Sequence, residues 1–206
     1  MGRRSGSRND LRASQSRALL PVSASNSGVS PFPIVSLAAN YGELFLSKEF
    51  SDVSIIIGQN YFRAHKLVLS ARVPYFKRLF LSGMRESQTG RIEITDVNVI
   101  RFYHVLKFIY SGEFPEDLGQ FSESYLQIAD KYGIEDLKLA CSASLKSQLQ
   151  PENVIQTMIL ADMHQCHPLK NKCVRAFTEW KRDVARSDIA ELVHHPQLML
   201  ECLLQL

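Results

Sequence analysis

From Ile34 onward the apolar positions recur with two different periods. Leu37, Tyr41, Leu44 and Phe45 fall at i, i+4, i+7 and i+8, the stripe of a short amphipathic helix. Asp52-Val53-Ser54-Ile55-Ile56-Ile57 and Tyr61-Phe62-Arg63-Ala64 are β-rich runs split by Gly58-Gln59-Asn60, which predicts a hairpin. His65 to Ala71 returns to helical spacing through Leu67, Val68 and Leu69. Pro74 suits the first turn of a helix running from Tyr75 to Leu81, and Gly83 ends it. Arg91-Ile92-Glu93-Ile94-Thr95 alternates and reads as a third strand.

Beyond that strand the pattern is helical. Val99, Phe102, Leu106, Ile109 and Tyr110 mark one helix, closed by Ser111-Gly112. Phe121, Tyr125, Ile128, Ala129 and Tyr132 mark the next, closed by Gly133. Ile134, Leu137, Cys141, Leu145 and Leu149 mark a third. Pro151 opens another through Val154, Met158 and Ala161. After a break from His164 to Pro168, the stripe Leu169, Cys173, Val174, Phe177 and Trp180 follows, and a last short helix begins near Pro196. One helix, a small β cluster and then many helices predict an α+β fold with strands at one end of a helical bundle.

Composition changes this picture mainly at the N-terminus. Residues 1–33 carry Arg3, Arg4, Arg8, Arg12 and Arg17 against Asp10 alone, so they hold +4 of a chain whose formal net charge is +3, and the rest is close to neutral. A near-neutral body argues against a nucleic-acid-binding surface. The tail is too rich in Ser, Arg, Asn, Gly and Pro to offset backbone ordering, and disorder is the expectation. Its acid-poor composition also matches a mitochondrial presequence, but only Ala18-Leu19-Leu20 interrupts it and Pro21 follows at once. The start lacks the Ser or Thr at position 6 that myristoylation favours. Apolar runs fall well short of the roughly 18 residues of a membrane span. Cys141, Cys166, Cys173 and Cys202 lack CxxC spacing, and no secretory segment precedes them. They read as reduced thiols of an intracellular protein, nuclear or cytoplasmic.

Several motifs resemble a known family. Phe50-Ser51-Asp52-Val53, Ala64-His65-Lys66-Leu67-Val68-Leu69-Ser70-Ala71-Arg72 and Pro74-Tyr75-Phe76 are similar to the start of a BTB/POZ domain. Phe108-Ile109-Tyr110-Ser111-Gly112 and Ala129-Asp130-Lys131-Tyr132-Gly133 resemble its later helices. Pro151-Glu152-Asn153-Val154, Leu160-Ala161-Asp162, Leu169-Lys170 and His195-Pro196 resemble the shortened BACK region, with its 3-box, of speckle-type POZ proteins. The implied organisation is a tail over 1–33, a BTB/POZ domain over 34–150 and a partial BACK extension, all helical, over 151–206. No stretch resembles the MATH domain or the kelch repeats of fuller relatives.

The resemblance implies a dimer, with itself or with other BTB proteins. Leu37, Tyr41 and Leu44 would pack across its two-fold interface with Val68 beside them, and Asp52 and Lys66 would form a charged pair near its centre. By spacing alone the same stripe packs equally well within its own domain. His65 reads as a hydrogen-bonded structural histidine. Met84-Arg85-Glu86 matches the hydrophobic–x–Glu motif of cullin-binding relatives, placed there in the loop after the third helix. Met84 would fill a partner pocket and Glu86 would bond at its rim. Tyr110 and Tyr125 extend that surface or else pack in the core. Leu160, Ala161, Asp162 and Met163 of the 3-box would add area. These features imply an adaptor of a cullin-3 RING ubiquitin ligase acting on an undetermined substrate protein. The alternative is a BTB scaffold or heterodimerising regulator, including one of transcription.

Catalytic signatures are missing from the sequence: it has no Gly-rich phosphate loop, GxSxG or HExxH, so no enzyme or cofactor is expected. His164, Cys166, His167 and Cys173 supply zinc-ligand types, but Cys173 belongs to an apolar stripe and Pro168 starts a helix, which favours core or loop placement.

Overall fold

The computed structural model describes residues 34–204. Helix α1 (Ile34–Glu43) leads through a turn to the hairpin β1 (Val53–Ile57) and β2 (Asn60–Ala64). Helices α2 (Lys66–Arg72), α3 (Pro74–Leu81) and α4 (Arg85–Thr89) follow, then β3 (Arg91–Glu93). The sheet order is β2-β1-β3, with β2 antiparallel and β3 parallel to β1. Burial along β1 alternates, so Val53, Ile55 and Ile57 face the core while Ser54 and Ile56 stand half-exposed. That alternation fixes the register, because a slip by one residue would turn the apolar set outward.

Helices α5 (Val99–Ser111), α6 (Ser122–Tyr132) and α7 (Glu135–Ser147) complete the first half. Asn98 caps α5, its Oδ1 accepting from the backbone N–H groups of Ile100 and Arg101 at 3.0 and 3.1 Å. Gly112 ends the helix at φ 75°, a left-handed conformation that a side chain would strain. The extension comprises α8 (Val154–Met163), α9 (His167–Trp180), α10 (Arg186–Glu191), a 3-10 turn Leu192–His194 and α11 (Pro196–Leu204). Two of these features depart from the sequence reading. The chain is already helical at α4, where a loop is expected, and α10 has no counterpart in the apolar pattern.

The core runs without interruption from the sheet into the extension. Phe76 stacks on Tyr132 with centroids 5.5 Å apart, and Phe102 meets the same ring edge-on at 5.7 Å. Helix α7 bridges the halves, packing on α6 and on α9, with Cys141 and Leu145 buried along its length. Val154, Met158, Ala161, Cys173 and Val174 continue the same buried cluster. Burial pushes the Cys141 and Cys173 thiols up to about 12, so both stay protonated and behave as small apolar side chains. No helix among the described residues is long and apolar enough to cross a membrane. The expected tail over 1–33 lies outside the described residues.

Candidate partner-binding surfaces

Helices α1, α2 and the end of α5 enclose a shallow trough of about 400 Å³. Leu37 is 60% exposed, Tyr41 42% and Leu67 78% along its rims, whereas Val68 and Ile109 are buried in its floor. Leaving such side chains in water costs a domain about 1.5–3 kcal/mol each relative to full burial. An exposed apolar patch of this kind is a candidate contact surface. Leu44 of the sequence stripe departs from the others, since it is half-buried against its own core. By spacing alone Leu67 is only part of the helical run. Three consecutive apolar residues cannot all face inward on a helix, and Leu67 is the one left outside.

Beside the trough lies a buried polar pin. His65 Nε2 meets the Glu49 carbonyl oxygen at 2.8 Å, so that nitrogen carries the hydrogen. In the neutral ring Nδ1 then accepts from the Tyr110 hydroxyl at 2.8 Å, and that hydroxyl accepts from the His65 backbone N–H at 2.9 Å. His65 is thus the structural histidine expected. Burial pushes the Tyr110 phenol up to about 12. Tyr110 is only 4% exposed, which corrects its assignment to a cullin-facing surface: its ring belongs to the core and its hydroxyl is committed to His65.

Asp52 and Lys66 also differ from expectation. Within the chain they form no ion pair. The Asp52 carboxylate accepts from the backbone N–H of Lys66 at 2.7 Å, while the Lys66 ammonium donates to the Ser87 carbonyl at 3.2 Å and lies 5.7 Å from the Phe80 ring centre. The carboxylate therefore caps the first turn of α2 rather than neutralising a side chain.

Met84 stands immediately before α4, as its N-cap, and is 60% exposed. The motif is no open loop. The Met84 carbonyl accepts from Ser87 N at 3.0 Å and from Ser87 Oγ at 2.6 Å, and Gln88 Nε2 donates to the Gly83 carbonyl at 2.9 Å. Gly90 closes the helix at φ 65°, where an added Cβ would stand 2.8 Å from the Asp52 carbonyl oxygen. Only glycine fits both that conformation and that approach. Glu86 is half-exposed on the same turn.

Tyr125 is fully buried, a second correction. Its hydroxyl donates to Asp117 Oδ1 at 2.6 Å and lies 2.6 Å from His104 Nδ1. Burial first and the Asp117 carboxylate second raise its phenol pKa. Arg101 bonds the other Asp117 oxygen at 2.9 Å and lies 3.3 Å from the Phe121 ring centre, a cation–π contact. This network ties the α5–α6 connection to the core.

In the extension, Leu160 is half-buried against the core and Met163 is 66% exposed. Met163 borders a groove that includes Asp96, Arg101, Lys131 and His164. Ala161 is buried and Asp162 accepts from Lys170 at 3.1 Å. His164 Nδ1 lies 2.9 Å from Asp130 Oδ2, while Cys166 and Cys173 are buried. Among the described residues no three His, Cys, Asp or Glu side chains gather in a way that would hold a metal.

The structure thus brings Leu37, Tyr41 and Val68 together in one trough and withdraws Tyr110 and Tyr125 into the core. The BTB/POZ domain family profile matches residues 41–149, more than half of the chain. A mouse relative, TD and POZ domain-containing protein 4, is 32% identical over 192 residues, which is 89% of this chain and 52% of the relative. The chain therefore spans about half the length of that curated relative. Among solved structures, the BTB domain of zebrafish PATZ1 is 22% identical with a TM-score of 0.48, over 55% of this chain and 91% of that one. The BTB domain of human gigaxonin is 24% identical with a TM-score of 0.45, over 57% and 94%. With its small sheet among helices and the profile match over residues 41–149, this chain belongs to the BTB/POZ family of protein-interaction modules.

Proposed function

We propose that this protein is a dimeric, non-catalytic adaptor that recruits a substrate to a cullin-3 RING ubiquitin ligase inside the cell. The observation that carries this reading is Met84: a large flexible apolar side chain, 60% exposed, on a turn whose own hydrogen bonds hold it in place. Such a residue contributes little to folding and suits a pocket on a partner helix. Glu86 adds a charged acceptor on the same turn, and Met163 and Leu160 of the extension supply further apolar area. The trough of Leu37, Tyr41, Leu67 and Val68 is the proposed self-association face, where each patch counts twice across a two-fold axis. Two copies would present two ligase sites and raise the effective concentration on a shared target.

Residues 151–206 act in this reading as a shortened BACK region of the speckle-type POZ kind, and the compartment is nuclear, cytoplasmic or both. The test is capture of the cullin N-terminal region by wild type and by Met84→Ala combined with Glu86→Ala. The reading expects capture by the first and at least a tenfold loss in the second. Equal capture would remove the site, and no capture by wild type would remove the function. Pairing with a different BTB protein in place of a second copy, without cullin, would favour a heterodimerising regulator.

A further inference from the structure

Helix α4 ends without enough internal donors. Its Ser87 carbonyl would ordinarily accept from the N–H four residues on, but Arg91 N bonds Thr89 Oγ1 at 3.3 Å instead. The donor that reaches Ser87 O comes from 21 residues upstream, the ammonium of Lys66 at 3.2 Å. A cation at a helix C-terminus also opposes the partial negative charge there. Lys66 is half-buried, and its ammonium lies over Phe80 of α3 at 5.7 Å. Ser87 in turn holds the Met84 carbonyl through both its N–H and its hydroxyl. A continuous path therefore runs from the start of α2 through Lys66 and Ser87 to Met84. The other end of the same path is fixed by Asp52, which caps α2 through the Lys66 backbone N–H and whose carbonyl sits against Gly90 at the end of α4.

We infer that Lys66 is a positioning residue: it fixes the Met84 turn relative to α2, the helix that presents Leu67 to the trough, and so sets the partner-capturing corner in place beside the self-association face. Asp52 is occupied by backbone, which leaves the ammonium for this task. The positioning rests on the contacts above. Its consequence for capture rests on the proposed cullin role of Met84.

The experiment compares the full chain with Lys66→Met, which keeps the stem over Phe80 but removes the donors, and with Lys66→Arg, which restores a donor. Amide hydrogen exchange is read at Ser87, Gln88 and Gly90, sedimentation reads the oligomer, and titration with the cullin N-terminal region reads capture. Lys66→Met is expected to speed exchange at those amides about fivefold while melting temperature and dimer mass hold, the modest size following from a half-exposed contact. It is also expected to weaken capture about fivefold, with Lys66→Arg recovering both. On a Met84→Ala background Lys66→Met should add nothing to the loss of capture. Unchanged exchange in Lys66→Met, with or without loss of dimer mass, overturns the inference, as does an equal loss of capture on both backgrounds. If wild type fails to bind the cullin region, the functional reading falls while the exchange data still decide the positioning.

Discussion

The α1–α2 face exposes Leu37, Tyr41 and Leu67 around a buried apolar floor, whereas the Met84 corner exposes one large apolar side chain on a turn braced by its own polar groups. The first surface relies on area, which is non-directional and grows with each side chain covered. The second relies on preorganisation: little area, but an anchor on a turn whose backbone is already held before a partner arrives. One chain thus carries a broad apolar patch and a small projecting site, which the proposed function assigns to a matching copy and to a groove in another protein.

The sharpest way to break this contrast is to charge the broad face. Leu37→Asp with Leu67→Asp is expected to weaken self-association about a hundredfold, because a carboxylate buried in an apolar interface has no partner. Sedimentation at micromolar concentration reads the change, and an unaltered dimer would show that the trough is not the contact. Next in size is the boundary between buried and exposed tyrosine. Tyr110→Phe leaves His65 without its hydroxyl partner and is expected to lower stability by about 2 kcal/mol in denaturant unfolding. Cullin capture by the folded fraction should not change. Met84→Ala should do the reverse, with about a tenfold loss of capture and a stability change within about 0.5 kcal/mol.

The smallest effect concerns pH. Burial opposes ionisation of Asp130, but hydrogen bonds from Lys138 and His164 outweigh it and hold the carboxyl below its usual 3.8. Asp117 is likewise lowered, its burial outweighed by Tyr125, His104 and Arg101. A depressed folded pKa means that the stabilisation is complete above the unfolded value near 4 and fades as pH falls through the lower folded one. Melting temperature should therefore drop as pH falls below about 4, and Asp130→Asn should flatten that acid limb. A variant that loses stability as steeply as wild type in acid would detach Asp130 from this role.

The strands and long helices were legible because each buries a periodic apolar face, as in β1 and in α6, and because Gly112 and Gly133 stand where those helices stop. Helix α4 was not, since Arg85-Glu86-Ser87-Gln88-Thr89 has no apolar period and is held by side-chain bonds to backbone. Spacing could place Tyr110 on α5 but could not reveal that the helix is buried on several sides, Phe102, Val105, Leu106, Phe108 and Ile109 included. The carboxylate of Asp52 was legible as a partner for Lys66 but not for which of its nitrogens, because capping and ion pairing use the same residue types. Leu67 carried a usable signal, three apolar residues in a row on a helix, and it is the most exposed apolar side chain along the trough.

The central claim is that one self-associated chain carries an independent site for a ligase scaffold. Light scattering on the chain mixed with the cullin N-terminal region at micromolar concentration measures it directly. The account predicts a mass of two copies of each. A chain that runs as a single copy and forms no complex would contradict it.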